Sequence, residues 1–140
     1  MMELERARML LESLGLVQSS LTLDGHLEYA TREESTYLSF LNRLLEDESD
    51  IRRKRSEETR LKLSHLPHKK TLAEFDFRFQ PGLDERQIRE LENLSFIHRQ
   101  ENVIFLGPPG VGKSHLAIGL ATEAIRQGMS VYFVSMDRLL

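Results

Sequence analysis

The most constraining feature of the sequence is a glycine-rich segment at residues 107–114, Gly-Pro-Pro-Gly-Val-Gly-Lys-Ser, which fits the pattern GxxxxGK[ST] in full. A short apolar run at 103–106 precedes it and an amphipathic stretch at 113–127 follows it. The apolar run is typical of a strand buried on both faces of a parallel sheet, and the amphipathic stretch predicts a helix that Gly128 ends. A second run of the same kind at 131–134 completes a strand–loop–helix–strand unit.

Each residue type in the glycine-rich segment suits the task of holding a polyphosphate. Glycine permits backbone angles that a Cβ would forbid, so successive N–H groups can turn towards an anion. The helix that follows adds amides without helical acceptors and the positive end of its dipole. A lysine can reach the β- and γ-phosphates of a nucleotide, and a serine hydroxyl can ligate Mg²⁺. The alternative, a glycine-rich turn that matches by coincidence, is disfavoured by the strand and helix patterns on either side.

The segment is therefore predicted to be a P-loop that binds ATP together with Mg²⁺. Ser114 is the predicted Mg²⁺ ligand. His115 follows the loop directly and could lie near the phosphates, although the more common interpretation is a plain helix residue. The predicted nucleotide-binding residues are Gly107, Pro108, Pro109, Gly110, Val111, Gly112, Lys113, Ser114 and His115.

Composition narrows the class of protein. With 40% hydrophobic and 29% charged residues, the chain has the make-up of a globular protein and not that of a disordered tail. The absence of cysteine excludes disulfides and thiolate metal sites. The N-terminus lacks the layout of a secretory signal, and the apolar stretches are far too short to span a membrane. We therefore expect a cytoplasmic protein with no membrane partner.

Helical patterns dominate the first half of the chain. Apolar residues at three- and four-residue steps predict a helix over 3–14, which Gly15 ends. Residues 16–31 are ambiguous, and Asp24-Gly25 within them is typical of a turn. A stronger helical pattern begins near Thr36 and is able to continue as far as Pro67.

Positive charge is concentrated at residues 51–70, which carry eight Lys and Arg against two Glu. Such a run can bind DNA phosphates, and the residues predicted to do so are Arg52, Arg53, Lys54 and Arg55. The alternative is a solvated helix face, because Glu48–Arg52 and Asp50–Lys54 have the four-residue spacing of helical ion pairs. Both interpretations stay open at this point.

The stretch from 67 to 83 is predicted to be a linker. Phe75, Phe77 and Phe79 alternate with polar residues, a period that favours an extended segment with an aromatic face. Such a stripe most often covers a core, and packing beside an adenine ring is the alternative. Asp84 follows as the predicted N-cap of a helix with an apolar face.

These motifs together resemble a known family. Residues 107–117 resemble the P-loop of AAA+ ATPases, and His115-Leu116-Ala117 looks like the IstB/DnaC branch. The lead-in at 70–77 and 84–91 is similar to that of IstB proteins, as is 131–134. The resemblance implies an incomplete AAA+-like P-loop fold of the α/β class with a parallel-sheet core, preceded by a small helical region. It implies a helper ATPase that assists a transposase of the same insertion sequence, assembles on DNA and forms homo-oligomers through its ATPase domain.

The resemblance also sets the expected domain division. The predicted parts are a helical region at 1–66, the linker with its aromatic segment at 67–83, and the first part of an AAA+-like domain at 84–140. Relatives carry an acidic Walker B strand, a polar sensor and an arginine finger further downstream, and no such acidic strand follows Ser114 here. The chain is therefore expected to be a truncated N-terminal portion without catalytic residues of its own.

Two other functions remain open from the sequence. A DnaC-like helicase loader would carry the same loop and bind a replicative helicase in place of a transposase. A non-catalytic truncated fragment would act only as an interaction module through its N-terminal helices. In the family's sheet the P-loop strand and the next strand are not neighbours, so we also expect exposed strand edges and a poorly stable or aggregating chain.

Overall fold

The computed structural model describes residues 2–140. These residues divide into two compact units, with the boundary between Ser56 and Glu57. They form two short 3₁₀ turns, Leu72–Glu74 and Phe77–Phe79, and seven α-helices: α1 Met2–Ser13, α2 Val17–Arg32, α3 Tyr37–Leu63, α4 Glu85–Leu91, α5 Ser95–His98, α6 Lys113–Arg126 and α7 Met136–Leu139. None of the helices within these residues combines the length and apolar character that a membrane crossing requires.

The predicted first helix and its end are confirmed. Gly15 has φ +77°, the left-handed conformation that glycine adopts without steric cost. The Leu16 amide donates to Leu11 O at 2.8 Å, which closes the C-terminal turn of α1 in the Schellman pattern. The chain then enters α2 almost at once.

The predicted turn at Asp24-Gly25 is wrong, because α2 continues through both residues. An interior glycine costs about 1 kcal/mol relative to alanine, which is a small penalty against tertiary packing. Leu23 is buried here, and the hydroxyl of the fully buried Ser19 donates to Leu44 O at 3.0 Å. Packing within the first unit therefore overrides the local turn signal.

Helix α3 starts close to its predicted position. Thr36 caps it by accepting the Ser39 amide on its hydroxyl at 3.1 Å, and the helix stops at Leu63, before Pro67. Glu48 on α3 is 5% exposed, and its carboxylate accepts the Ser19 amide at 3.0 Å. A buried carboxylate thus supplies a polar contact between α2 and α3.

The predicted α/β fold with a parallel-sheet core is wrong for the described residues, 2–140, since none of them forms a β-strand. The runs at 103–106 and 131–134 are non-helical but belong to no ladder. A strand exists only when a neighbouring chain segment accepts and donates its hydrogen bonds, and these residues provide no such neighbour. Instead, Phe133 donates its amide to Ser64 O at 2.7 Å, and Ile104 and Leu106 are largely exposed.

The second unit packs around α6. Its buried cluster consists of Leu72, Ile88, Leu94, Leu116, Leu120 and Ala124. The helix ends as predicted, since Gly128 has φ +97° and Met129 donates its amide to Ala124 O at 2.9 Å. Asp84 caps α4 by accepting the Arg86 amide at 3.0 Å, which confirms that helix start.

The aromatic segment differs from its predicted extended form. Residues 72–79 contain the two 3₁₀ turns, and the Asp76 carboxylate accepts the Arg78 amide at 3.0 Å within the second of them. Phe75 and Phe77 pack against the buried cluster of the second unit, whereas Phe79 is exposed. The turns bring the first two rings to one side of the segment, so most of the predicted stripe is part of the core.

Candidate functional site

The backbone of residues 107–114 depends on glycine at two positions. Gly110 has φ +83° and Gly112 has φ +95°, both in the left-handed region. A Cβ placed on Gly107 would lie 3.2 Å from Cγ2 of Val111, so the start of the loop is also tightly closed. The loop therefore has a tight, glycine-dependent curvature, the kind of backbone in which successive amides can turn towards an anion.

The loop opens directly into the N-terminus of α6. Gly112 is the N-cap, and Leu116 is the first residue to donate in the helical pattern, to Gly112 O at 3.0 Å. The amides of residues 113–115 precede that hydrogen bond and have no acceptor within the helix. They lie at the positive end of the dipole of a 14-residue helix, where negative charge is stabilised.

The charged and hydroxyl groups of the loop lie in the first turn of α6. Lys113 is half-buried, and its ammonium donates to Gly107 O across the loop. Ser114 is exposed, so its hydroxyl is accessible from solvent. Mg²⁺ is usually held by one or two protein groups together with nucleotide phosphates, and a single hydroxyl at this position fits that requirement.

His115 points towards the preceding segment of the chain. Its Nε2 lies 2.9 Å from Thr71 O and, because a carbonyl only accepts, this nitrogen carries the donated proton. The imidazole also packs edge-on against Phe75, with 5.2 Å between ring centroids. The structure thus gives His115 contacts to Thr71 and Phe75, although it follows the loop in sequence.

Phe75 is a direct neighbour of the loop, a contact different from the packing beside an adenine ring that the sequence left open. A Cβ placed on Gly112 would lie 2.6 Å from Cε2 of Phe75, so the aromatic ring occupies the space of a side chain at residue 112. The alternation of Phe75, Phe77 and Phe79 marked an aromatic segment but gave no register against the loop. A local sequence pattern cannot predict a contact between residues so far apart in the chain.

Two cavities flank the loop within the second unit. One, of about 200 Å³, is lined by Gly107, Lys113, Leu116 and apolar neighbours. The other, of about 250 Å³, lies on the side of Phe75, Phe79 and His115. Gln80 and Val111 line both cavities, so the loop forms the wall between them.

The residues predicted to contact DNA lie in consecutive positions of α3, in the first unit. Arg52 is 3.7 Å from the Glu48 carboxylate and donates to Gly15 O at 3.4 Å. Arg53 pairs with Asp50 at 2.9 Å. The predicted pair of Glu48 and Arg52 is thus present, whereas Asp50 pairs with Arg53. Arg52, Arg53, Lys54 and Arg55 are all exposed.

Residues 107–114 match the sequence pattern of P-loop proteins, and the helix expected after the loop is present as α6, whereas the strand expected before it is not formed by the described residues. Comparison with known families makes this more specific. The family of IstB-like ATP binding proteins matches residues 10–140, and the chain belongs to it.

Relatives in this family are proteins of bacterial insertion sequences that are named for ATP binding. The protein of IS5376 from Geobacillus stearothermophilus is 53% identical over 80% of this chain and 45% of its own length. The protein of IS21 from Pseudomonas aeruginosa is 47% identical over 94% of this chain and 49% of its own. The protein of IS232 from Bacillus thuringiensis subsp. berliner is 36% identical over 93% of this chain and 52% of its own length. The chain therefore spans about half the length of the curated relatives it matches.

Proposed function

We propose that the chain binds ATP with Mg²⁺ through the loop at residues 107–114. The observation that carries the proposal is the pair of left-handed glycines, Gly110 and Gly112, placed directly before the N-terminus of α6. Membership of a family named for ATP binding supports ATP as the nucleotide.

Each part of the loop has a distinct role in this proposal. The amides at the start of α6 hold phosphate oxygens, and the helix dipole favours their charge. The Lys113 ammonium exchanges Gly107 O for an anionic oxygen, so that both partners of the hydrogen bond are charged and the bond is stronger. The Ser114 hydroxyl supplies one Mg²⁺ ligand, and a bound ion would neutralise part of the phosphate charge.

The proposal can be tested by isothermal titration calorimetry, in which ATP and Mg²⁺ are titrated into the folded chain. Lys113→Ala should weaken binding about tenfold, the lower end of the about 1.5–3 kcal/mol that a hydrogen bond to a charged group contributes, because the ammonium gives up its contact with Gly107 O. Lys69→Ala is the matched control, since Lys69 is an exposed lysine of the same unit outside the loop. The Lys69→Ala variant should bind ATP with the affinity of the wild type. Absence of binding by the folded protein, or equal affinities of the wild type and Lys113→Ala, would reject ATP binding at this loop.

The biological setting follows from the same relatives. Because the matched proteins belong to insertion sequences, we infer that this chain works with the transposase of its own element, on DNA in the cytoplasm, and self-associates through its second unit. Identifying the proteins that co-purify with the chain distinguishes a transposition helper from a helicase loader. Recovery of the transposase supports the inference, whereas recovery of a replicative helicase alone contradicts it.

DNA binding is assigned to the exposed basic residues at positions 52–55 of α3. Replacing Arg52, Arg53 and Arg55 by alanine should weaken DNA retention and flatten its salt dependence, by about 0.9 in the log–log slope for each DNA phosphate that is no longer neutralised. Glu48 and Asp50 already neutralise part of this charge, so the slope should change by less than the value for three phosphates. Arg86→Ala on α4 is the control, and an unchanged slope in the triple variant would remove the assignment.

A further inference from the structure

One face at the start of α6 is held by the segment that precedes α4. Three positions at helical spacing, Gly112, His115 and Gly119, contact this segment. Leu72 is buried, and a Cβ on Gly119 would lie 2.8 Å from its Cδ2. The segment therefore packs closely against the helix because two of the three positions have no side chain.

The contact at Gly112 is the closest of the three. The Cε2, Cζ and Cδ2 atoms of Phe75 would lie 2.6, 3.2 and 3.8 Å from a Cβ on residue 112. The ring edge thus abuts the backbone at the point where the loop becomes a helix. Movement of Gly112 towards this side of the loop is blocked by the ring.

The ring of Phe75 is itself held from several sides. His115 packs edge-on against it while donating to Thr71 O, and Phe77 packs against it with 4.9 Å between ring centroids. Phe75 is half-buried, and its contacts with His115 and Phe77 restrict the positions that its ring can take. A rigid aromatic contact can therefore fix the backbone of the residue that it touches.

We propose that Phe75 is a positioning residue of the phosphate-binding loop, which fixes Gly112 and the amides that follow it, and that His115 anchors its ring. The inference rests on the proposed function of the loop. It concerns phosphate recognition alone, because Phe75 acts through the backbone of Gly112 and does not touch the nucleotide.

Binding of two ligands by Phe75→Ala distinguishes this role from others. The probes are ATP and inorganic tripolyphosphate, each with Mg²⁺. Both affinities should fall by the same factor, roughly tenfold, the effect of misdirecting one hydrogen bond to a charged group. Phe96→Ala, which removes another ring packed on the same buried cluster, should leave both affinities unchanged in the folded protein.

Two further variants keep the inference testable if Phe75→Ala does not fold. Phe75→Leu retains an apolar side chain but removes the ring edge, and should show the same parallel loss. His115→Ala should lose affinity for both ligands, whereas His115→Gln, which can still donate to Thr71 O, should recover most of it.

Each contrary result has a definite meaning. A loss confined to ATP would show that Phe75 contacts the base, and unchanged binding of both ligands would show that it has no role at the loop; either result overturns the inference. Wild-type protein that binds neither ligand removes the proposed function together with the inference. If the wild-type protein binds both ligands and the folded Phe75 variants bind them with the same affinities, only the inference is rejected.

Discussion

At the scale of single residues, Gly110 and Gly112 have similar backbone angles in different surroundings. Both φ values are positive, at +83° and +95°. No heavy atom lies within 4 Å of a Cβ built on Gly110, whereas the ring of Phe75 lies 2.6 Å from one built on Gly112. Alanine substitution at the two sites therefore separates backbone strain from a steric clash.

We expect Gly110→Ala to lower the free energy of unfolding by about 1–2 kcal/mol, the cost of left-handed backbone for a residue with a Cβ. Gly112→Ala should cost more, because Phe75 must also shift. Urea-induced unfolding of the two variants measures the difference. Equal losses would show that the Phe75 ring does not press on Gly112.

The glycine-dependent loop and the helix after it could be predicted from sequence because their pattern is contiguous and each position has a local chemical reason, whereas the nucleotide and Mg²⁺ roles of the loop residues stay predictions. The contact of Phe75 with Gly112 could not be predicted, since it depends on how two distant segments pack. For Glu48 the sequence predicts only a surface ion pair with Arg52. Its burial and its hydrogen bond with the Ser19 amide depend on the pairing of α2 with α3.

At the scale of helices, Gly25 lowers the stability of α2 because glycine has a low helix propensity. This residue is in the helix interior, and nothing lies within 4 Å of a Cβ built there. Gly25→Ala should therefore raise the free energy of unfolding by about 0.5–1 kcal/mol through helix propensity alone. Thermal or urea unfolding checks this, and a destabilised variant would indicate that residue 25 is not helical.

Near the end of α6, an ion pair makes stability depend on pH. Hydrogen bonds from Arg126, and more weakly from Gln127, lower the pKa of Glu123 below its ordinary value of 4.5. A carboxylate whose pKa is lower in the folded state than in the unfolded state stabilises the folded protein. This stabilisation is fully present at pH values above the pKa of the unfolded state, and it is lost as the pH falls through the pKa of the folded state.

The difference in unfolding free energy between the wild type and Glu123→Gln should therefore shrink as pH is lowered from neutral to about 3. Arg126→Ala should remove the same pH dependence, because Arg126 is the largest cause of the shift. A difference that stays constant over this range would contradict the assigned pair.

Helices could be predicted better than the rest of the fold for a physical reason. A helix satisfies its backbone hydrogen bonds within itself, so the period of apolar residues and a capping residue such as Asp84 nearly determine it. A strand needs a partner, and the runs at 103–106 and 131–134 have apolar, strand-like composition without one among the described residues. Composition alone could not supply that information.

At the scale of the whole molecule, large apolar side chains remain exposed on both strand-like runs. Ile104 is 77% and Leu106 is 89% exposed, and Tyr132 is also exposed. Exposed apolar surface of this kind favours association between chains. We expect the 140-residue chain to bind hydrophobic dyes and to scatter light more strongly as its concentration rises.

Ile104→Lys should reduce that association, because it places a charge at the centre of the first run. Leu106 is left in place in this variant, since it also lines the cavity beside Lys113. A sharp, reversible thermal transition of a monomer, together with unchanged scattering in Ile104→Lys, would contradict the expectation.

The contact between Lys113 and Gly107 O has a thermodynamic consequence for ligand capture. The long side chain is already held across the mouth of the loop, so little of its rotamer freedom is left to lose when an anion arrives. Its contribution to affinity is then the difference between an anionic and a neutral acceptor, not the full attraction of a lysine that moves freely in water. Selection at this position thus depends on the charge of the arriving group.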